Sequence, residues 1–255
     1  PLALSAGVFL GFVGIGLGSP GSPHVLARYM SIDDPEQLRV SAVVGTVWNV
    51  LMGWGAVFIG LAGRALFPLV DSLPQADPEN LYPALAGELL PPVLFGLVIA
   101  AVFAAIMSTA DSQLLVAASA VVRDFYQQGI RRGAPVSERR LVLLSRTTVV
   151  VLVGLSLLLG FYADELVFWL VLFAWAGLGA AFGPTTILAL YWRRTTRAGV
   201  LAGIVTGTVV TFAWQSVPAL DAQLYELIPA FTLSFAATWL VSLLTAPGRA
   251  APDTP

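Results

Sequence analysis

Cysteine is absent from the 255 residues, and charge is scarce. Without thiols there is neither a disulfide nor a thiolate metal site to propose, and the redox compartment stays unread. Charged side chains make up 11% of the chain, against roughly 25% in a soluble domain, while 57% of its residues are hydrophobic. With a mean hydropathy of +0.83, water is not its main solvent. The formal net charge of −2 gives no basis for a nucleic-acid partner. A starting Met and the basic region of a signal peptide are missing too, because the chain opens on Pro1 inside an apolar stretch. The expectation is the C-terminal part of a longer protein, with an N-terminal half still to be supplied. Convergent acid, base or metal-ligand residues are almost lacking in the apolar runs, so no enzyme is expected.

What is there is long apolar runs. A hydrocarbon core about 30 Å thick needs about 20 mostly apolar residues per helix. Seven runs qualify, at residues 2–19, 40–67, 93–122, 141–162, 166–192, 199–215 and 227–245. Pro20, Pro68, Pro91, Pro92, Pro218 and Pro247 sit at their ends, where a missing N–H does least harm. Barrel strands would alternate over about 10 residues, and these runs are far longer. The expected fold is therefore all-α, a polytopic membrane helix bundle occupying residues 1–245 with a tail at 246–255. Its expected location is the cell membrane, with the lipid bilayer as partner.

Charge placement orients the bundle. Connections 28–39, 123–140 and 193–197 hold most of the arginines, and Arg249 lies in the tail. The alternate connections hold Asp71, Asp77, Glu79 and Glu88, then Asp164 and Glu165, then Asp221 and Glu226, with only Arg64 beside them. The arginine side is expected to be cytoplasmic, which puts loop 68–92 outside and the C-terminus inside. On the plain reading these basic loops are topology signals and nothing more.

Small residues predict where helices touch. Gly7 and Gly11, Gly179 and Gly183, and the series Gly199, Gly203 and Gly207 recur at i, i+4, a spacing that lets backbones approach in lipid. The first run is denser, with Gly11, Gly14, Gly16, Gly18 and Gly21 beside Pro20 and Pro23. Either it is an ordinary helix ending at Ser19 and Pro20, or it breaks and frees backbone groups, as the discontinuous helices of transporters do.

One polar island interrupts the third run: Ser108, Thr109, Ala110, Asp111, Ser112 and Gln113. A carboxylate at mid-bilayer costs about 2.5–3.5 kcal/mol by insertion scales, so it marks a functional site by default. Ser108 and Thr109 lie three and four residues after Ala105, so the Ala105 carbonyl and both hydroxyls address one spot on a helix. Together they make half an oxygen shell for a hard monovalent cation, to be completed by an opposing helix. Both hydroxyls can instead bond back to preceding carbonyls. Asp111 is placed to add negative charge nearby, to stay protonated, or to cap a neighbour, and Gln113 to make a packing hydrogen bond.

The stretch from Ala104 to Val116 resembles the ion-site helix of the sodium:solute symporter family. The stretch from Ala174 to Pro184, with Tyr191, Trp192, Arg193, Arg194 and the turn Thr196 to Gly199, is similar to the same family, as is Gly21 to His24 with Arg28, Tyr29 and Met30. The resemblance runs from near residue 5 to about 245. It implies an inverted-repeat core of the LeuT type, of which this chain carries core helices six to ten and two peripheral helices. It also implies Na+ as coupling ion, bound by Ala105, Ser108 and Thr109 with Asp111 and Ser112 as neighbours, and no transition metal. The implied activity is alternating-access uptake of a small organic solute. Proline is the best guess, although the family's proline carriers hold a tryptophan and a tyrosine where this chain has Ile15 and Ser19. Other amino acids, carboxylates or sugars, proton coupling, and a transporter-like sensor domain remain alternatives.

By the same resemblance Ile15, Ser19 and Pro23 are candidates for the solute pocket or its gate, and Gly179, Gly183 and Pro184 for a bend in an outer gating helix. His24 is read as a local hydrogen-bonding residue or a proton carrier.

Overall fold

The computed structural model describes residues 6–162 and 167–246. Helix α1 (Ala6–Gly14) runs into a 3-10 helix at Ile15–Gly21, followed by α2 (Pro23–Met30) and α3 (Pro35–Leu66). Short 3-10 turns lead to α4 (Leu81–Leu89), and α5 (Pro92–Ser119) is prolonged as a π-helix over Ala120–Ile130. Then come α6 (Glu138–Tyr162), α7 (Val167–Tyr191), α8 (Arg197–Gln215), the single turn α9 (Pro218–Asp221) and α10 (Leu227–Thr245). No strand occurs among the described residues, so the expected all-α class holds.

Six of these helices are long and apolar enough to cross a membrane: Pro35–Leu66, Pro92–Ile130, Glu138–Tyr162, Val167–Tyr191, Arg197–Gln215 and Leu227–Thr245. The seventh expected span differs. Its described part is a shorter apolar helix, Phe9–Gly21, in which glycines and Pro20 give up α-helical winding for the tighter 3-10 form. Leu2, where that span was expected to start, lies outside the described residues, as do Leu166, Asp164, Glu165 and the tail from Pro247 with Arg249.

Helix starts follow local chemistry. Asp34 caps α3 by accepting the Glu36 N–H at 2.9 Å, with Pro35 in the first turn where no N–H is needed. Thr196 caps α8 by accepting the Gly199 N–H at 3.2 Å. Pro92 opens α5, as expected for the end of that run, and Pro218, expected just past the end of the 199–215 run, opens the unexpected single turn α9.

The chain divides into two units, Pro1–Met30 with Asp164–Pro255, and Ser31–Ala163. In the first, α7, α8, α10 and the 3-10 helix pack around Ala176, Ala180, Leu227, Ala230 and Phe231. The small-residue expectation is met here in detail. A Cβ on Gly199 would strike Ser242, one on Gly203 would strike Thr238 and Thr185, and one on Gly207 would strike the Ala180 carbonyl. Across the same seam the Ser234 hydroxyl donates to the Gly203 carbonyl at 2.9 Å, and the Thr196 N–H donates to the Ser242 hydroxyl at 3.1 Å. Close backbones and hydroxyl–carbonyl bonds replace large interlocking side chains, because lipid tails are as apolar as leucine and give helices no hydrophobic reason to associate.

In the second unit α3 meets α4, with Gly63 buried against the Leu81 side chain, and α5 packs on α4 and α6. Burial is confined to a few positions, among them Leu85, Ala86, Ala118, Val122 and Leu141. The large side chains of α3, such as Trp48, Trp54 and Phe58, are exposed.

Candidate functional site

The polar island falls on α5, in the second unit. The winding that the apolar run dictates carries straight through Ser108 to Gln113, so Ala105, Ser108 and Thr109 sit on one helix side. All three are exposed, as is Asp111, while Ser112 is half-buried. The Thr109 hydroxyl donates to the Ala105 carbonyl at 3.2 Å, which brings two of the expected ligand oxygens together. The Ser112 hydroxyl donates to the Ser108 carbonyl at 2.8 Å. Of the two hydroxyls for which back-bonding is the alternative, Thr109 makes that bond, and Ser112 makes a similar one. Such a bond leaves ligation open, because a hydroxyl that donates keeps two acceptor lone pairs. What the α5 face offers is an exposed row of hard oxygen acceptors beside a carboxylate, a donor set suited to a cation that prefers oxygen.

The first unit holds the other candidates. Ile15 begins the 3-10 helix and is half-buried, Ser19 is exposed, and Pro23 is half-buried at the start of α2. His24, next to it, is half-buried as well. The 3-10 segment is held against α7 by a bond between residues 160 apart: the Trp175 indole N–H donates to the Ile15 carbonyl at 2.9 Å. The indole also fills the space over Gly18, where a Cβ would overlap it. One turn on, Gly21 lies against the backbone of Leu178 and Gly179, a Cβ there meeting the Leu178 carbonyl at 2.6 Å. Gly179 in turn packs on Gly18, and Gly183 on Phe231 and the Leu17 carbonyl. Helix α7 stays α-helical through Pro184, which is fully buried. Two of the three residues expected at a bend, Gly179 and Gly183, are thus the ones that let the 3-10 segment and α10 approach α7.

Several residues of this site escape the sequence reading. Trp175 is one, hidden within a motif and given no role. Tyr225 is another: its hydroxyl donates to the Leu172 carbonyl at 2.6 Å, and its Cβ abuts Gly11. Burial, and then the neighbouring Glu226 carboxylate, push the Tyr225 hydroxyl well above its ordinary pKa. The buried row Ser234, Thr238 and Ser242 is the third, and its i, i+4 spacing, matching that of Gly199 and Gly203 which it faces, is a signal that sequence alone could have provided.

Comparison with known proteins bears on what these elements serve. The family model described as "Sodium:solute symporter family" matches residues 2–207. The high-affinity proline transporter PutP of Bacillus subtilis is 38% identical over 239 residues, covering 93% of this chain and 50% of its own length. The sodium/proline symporter of Haemophilus influenzae is 38% identical over 236 residues, 90% of this chain and 46% of its own. The osmoregulated proline transporter OpuE of Bacillus subtilis is 36% identical over 237 residues, 92% of this chain and 48% of its own. The chain spans about half the length of the curated relatives it matches. No solved structure matches it. With six helices of spanning length and a family match over most of its residues, the chain is a multi-pass membrane protein that belongs to the sodium:solute symporter family.

Proposed function

We propose that this chain is the C-terminal half of a sodium-coupled symporter that takes up a small organic solute, proline first among the candidates, by alternating access. The observation that carries the reading is the likeness, over about nine-tenths of the chain, to proteins named as proline transporters and sodium/proline symporters. The oxygens gathered on α5 support it. Sodium binds at the Ala105 carbonyl and the Ser108 and Thr109 hydroxyls, with Asp111 and Ser112 beside it, and ligands from the N-terminal half complete the shell. The fold is of the LeuT type, with core helices six to ten and two peripheral helices in residues 1–245. Loop 68–92 is extracytoplasmic, and the tail 246–255 is cytoplasmic.

In this mechanism sodium bridges α5 to the N-terminal half and favours the outward-open state that binds solute. Its departure on the inside releases both. Coupling is then a difference in affinity between two states, as linkage requires. Ile15, Ser19 and Pro23 border the solute path, and α7 with Gly179, Gly183 and Pro184 moves as the outer gate. The absence of aromatic rings at Ile15 and Ser19 leaves a roomier, more aliphatic wall, which suits small solutes other than proline too.

The test is uptake by the full-length protein in proteoliposomes at varied sodium. Ser108→Ala and Thr109→Ala each remove a ligand of a charged species, commonly about 1.5–3 kcal/mol, so the apparent sodium affinity should fall roughly tenfold or more. Sodium dependence unchanged in both variants would overturn the assignment. The mid-span carboxylate of Asp111 favours one rival, proton coupling. Imposing sodium and proton gradients separately decides it, since uptake driven by protons alone contradicts sodium coupling.

A further inference from the structure

The chain has no lysine, so all thirteen basic residues are arginines. Six of them, Arg123, Arg131, Arg132, Arg139, Arg140 and Arg146, gather where α5 and α6 are joined, with only Asp124 and Glu138 among them. All six are exposed. Arg140 lies over the Tyr126 ring, 5.8 Å from its centroid, and among the described residues the other five are held in no ion pair. The connection is also folded. The π-helix carries α5 on to Ile130, the Arg131 N–H donates to the Tyr126 carbonyl at 2.9 Å, and the Gly133 N–H donates to the Gln127 carbonyl at 2.9 Å. Arg132 and Gly133 take left-handed φ values of 50° and 77°, a conformation an arginine adopts only where its surroundings impose it.

We propose that the α5–α6 connection is a binding site for the phosphodiester head groups of anionic lipids. Both helices leave the bilayer at this end, so the guanidiniums stand at head-group depth whichever side of the membrane that is. Juxtamembrane clusters of this size attract anionic lipid. A guanidinium also presents a planar fork of donors that matches a phosphate bidentately, which an ammonium does not. Exposed apolar side chains at the same helix ends, Phe125, Ile130, Val142 and Leu143, would lie along the acyl chains, which favours a lipid over free phosphate. A topology signal needs positive charge alone, and lysine would serve it as well.

The experiment releases the full-length protein from nanodiscs of equal phosphatidylglycerol and phosphatidylcholine and counts retained lipids by native mass spectrometry. The wild type should retain phosphatidylglycerol preferentially, and inorganic phosphate should not displace it. Arg131→Gln, Arg132→Gln and Arg139→Gln combined should erode the preference by about fivefold for each charge removed. The matching Arg→Lys variant keeps the charge and the insertion signal, and should still lose part of the preference. Removing Arg193 and Arg194 by the same change should leave it intact. Equal retention of both lipids by the wild type, full preference in the lysine variant, or displacement by phosphate would each overturn the proposal. The readout does not involve transport, so it stands or falls apart from the symport reading.

Discussion

At the residue scale, two glycines a single residue apart have opposite tolerances. Gly16 has nothing within 4 Å of a built Cβ, whereas Gly18 faces the Trp175 indole. Gly18→Ala must displace a ring that also holds the Ile15 carbonyl, an overpacking that costs about 1–3 kcal/mol, while Gly16→Ala should stay within about 0.5 kcal/mol. Thermal unfolding midpoints in detergent for the two variants check this, with a clear drop for the first only. Tyr225 sets a pH limit on the same unit. Its folded pKa is raised above the ordinary value near 10, so its contribution is complete below about pH 10 and lost as pH rises further. Tyr225→Phe should lower stability at neutral pH, by about 1 kcal/mol for the lost bond to Leu172, and should flatten the alkaline decline; unfolding curves from pH 7 to 11 test both.

At the element scale, helices are legible wherever an apolar run is long and uncut, because the hydrocarbon thickness sets their length. The first run is not, since its glycines admit both an ordinary helix and a break. The outcome lies between the two, a continuous but tightened 3-10 turn, held against α7 by Trp175, far away in sequence. That Ala105, Ser108 and Thr109 share one side of α5 is legible from their spacing. Whether those hydroxyls turn inward or outward is not, because spacing cannot show that Thr109 already bonds to the Ala105 carbonyl. The α8–α10 seam makes its own prediction. Ser234→Ala leaves the Gly203 carbonyl without its donor and should cost about 0.6 kcal/mol, up to about 1.7, the range for such bonds between membrane helices. Gly203→Val should cost more, since it drives atoms into Thr238 and Thr185. Crosslinking yield between cysteines placed on α8 and α10 would report the loosening, with the valine variant the weaker pair.

For the whole molecule, the arginine asymmetry predicts orientation, and the missing cysteines make it easy to test. A single cysteine at Ser72 should react with an impermeant maleimide added to intact cells, and one at Ser137 only after permeabilisation; the reverse pattern would invert the topology. The two units also differ in how much they cover themselves. Helices α7 and α10 bury 39% of their most apolar windows, whereas α3 and α5 bury 0%. The spans of the second unit have mean hydropathies of 1.7 to 2.4 against 1.4 to 1.8 in the first, so the greater burial of α7 and α10 does not come from greater apolar content. Small residues on α7, α8 and α10 match one another, which lets these helices close on each other.

The glycine and hydroxyl seam of the first unit has a thermal consequence. Folding in water draws its curved stability from the heat capacity of hydrating apolar surface, which is why soluble proteins weaken on cooling as well as on heating. Helices that separate into lipid exchange one hydrocarbon neighbour for another, so that contribution is nearly absent. The α7, α8 and α10 cluster should therefore tighten steadily toward low temperature, with no cold-side decline until the lipid itself freezes.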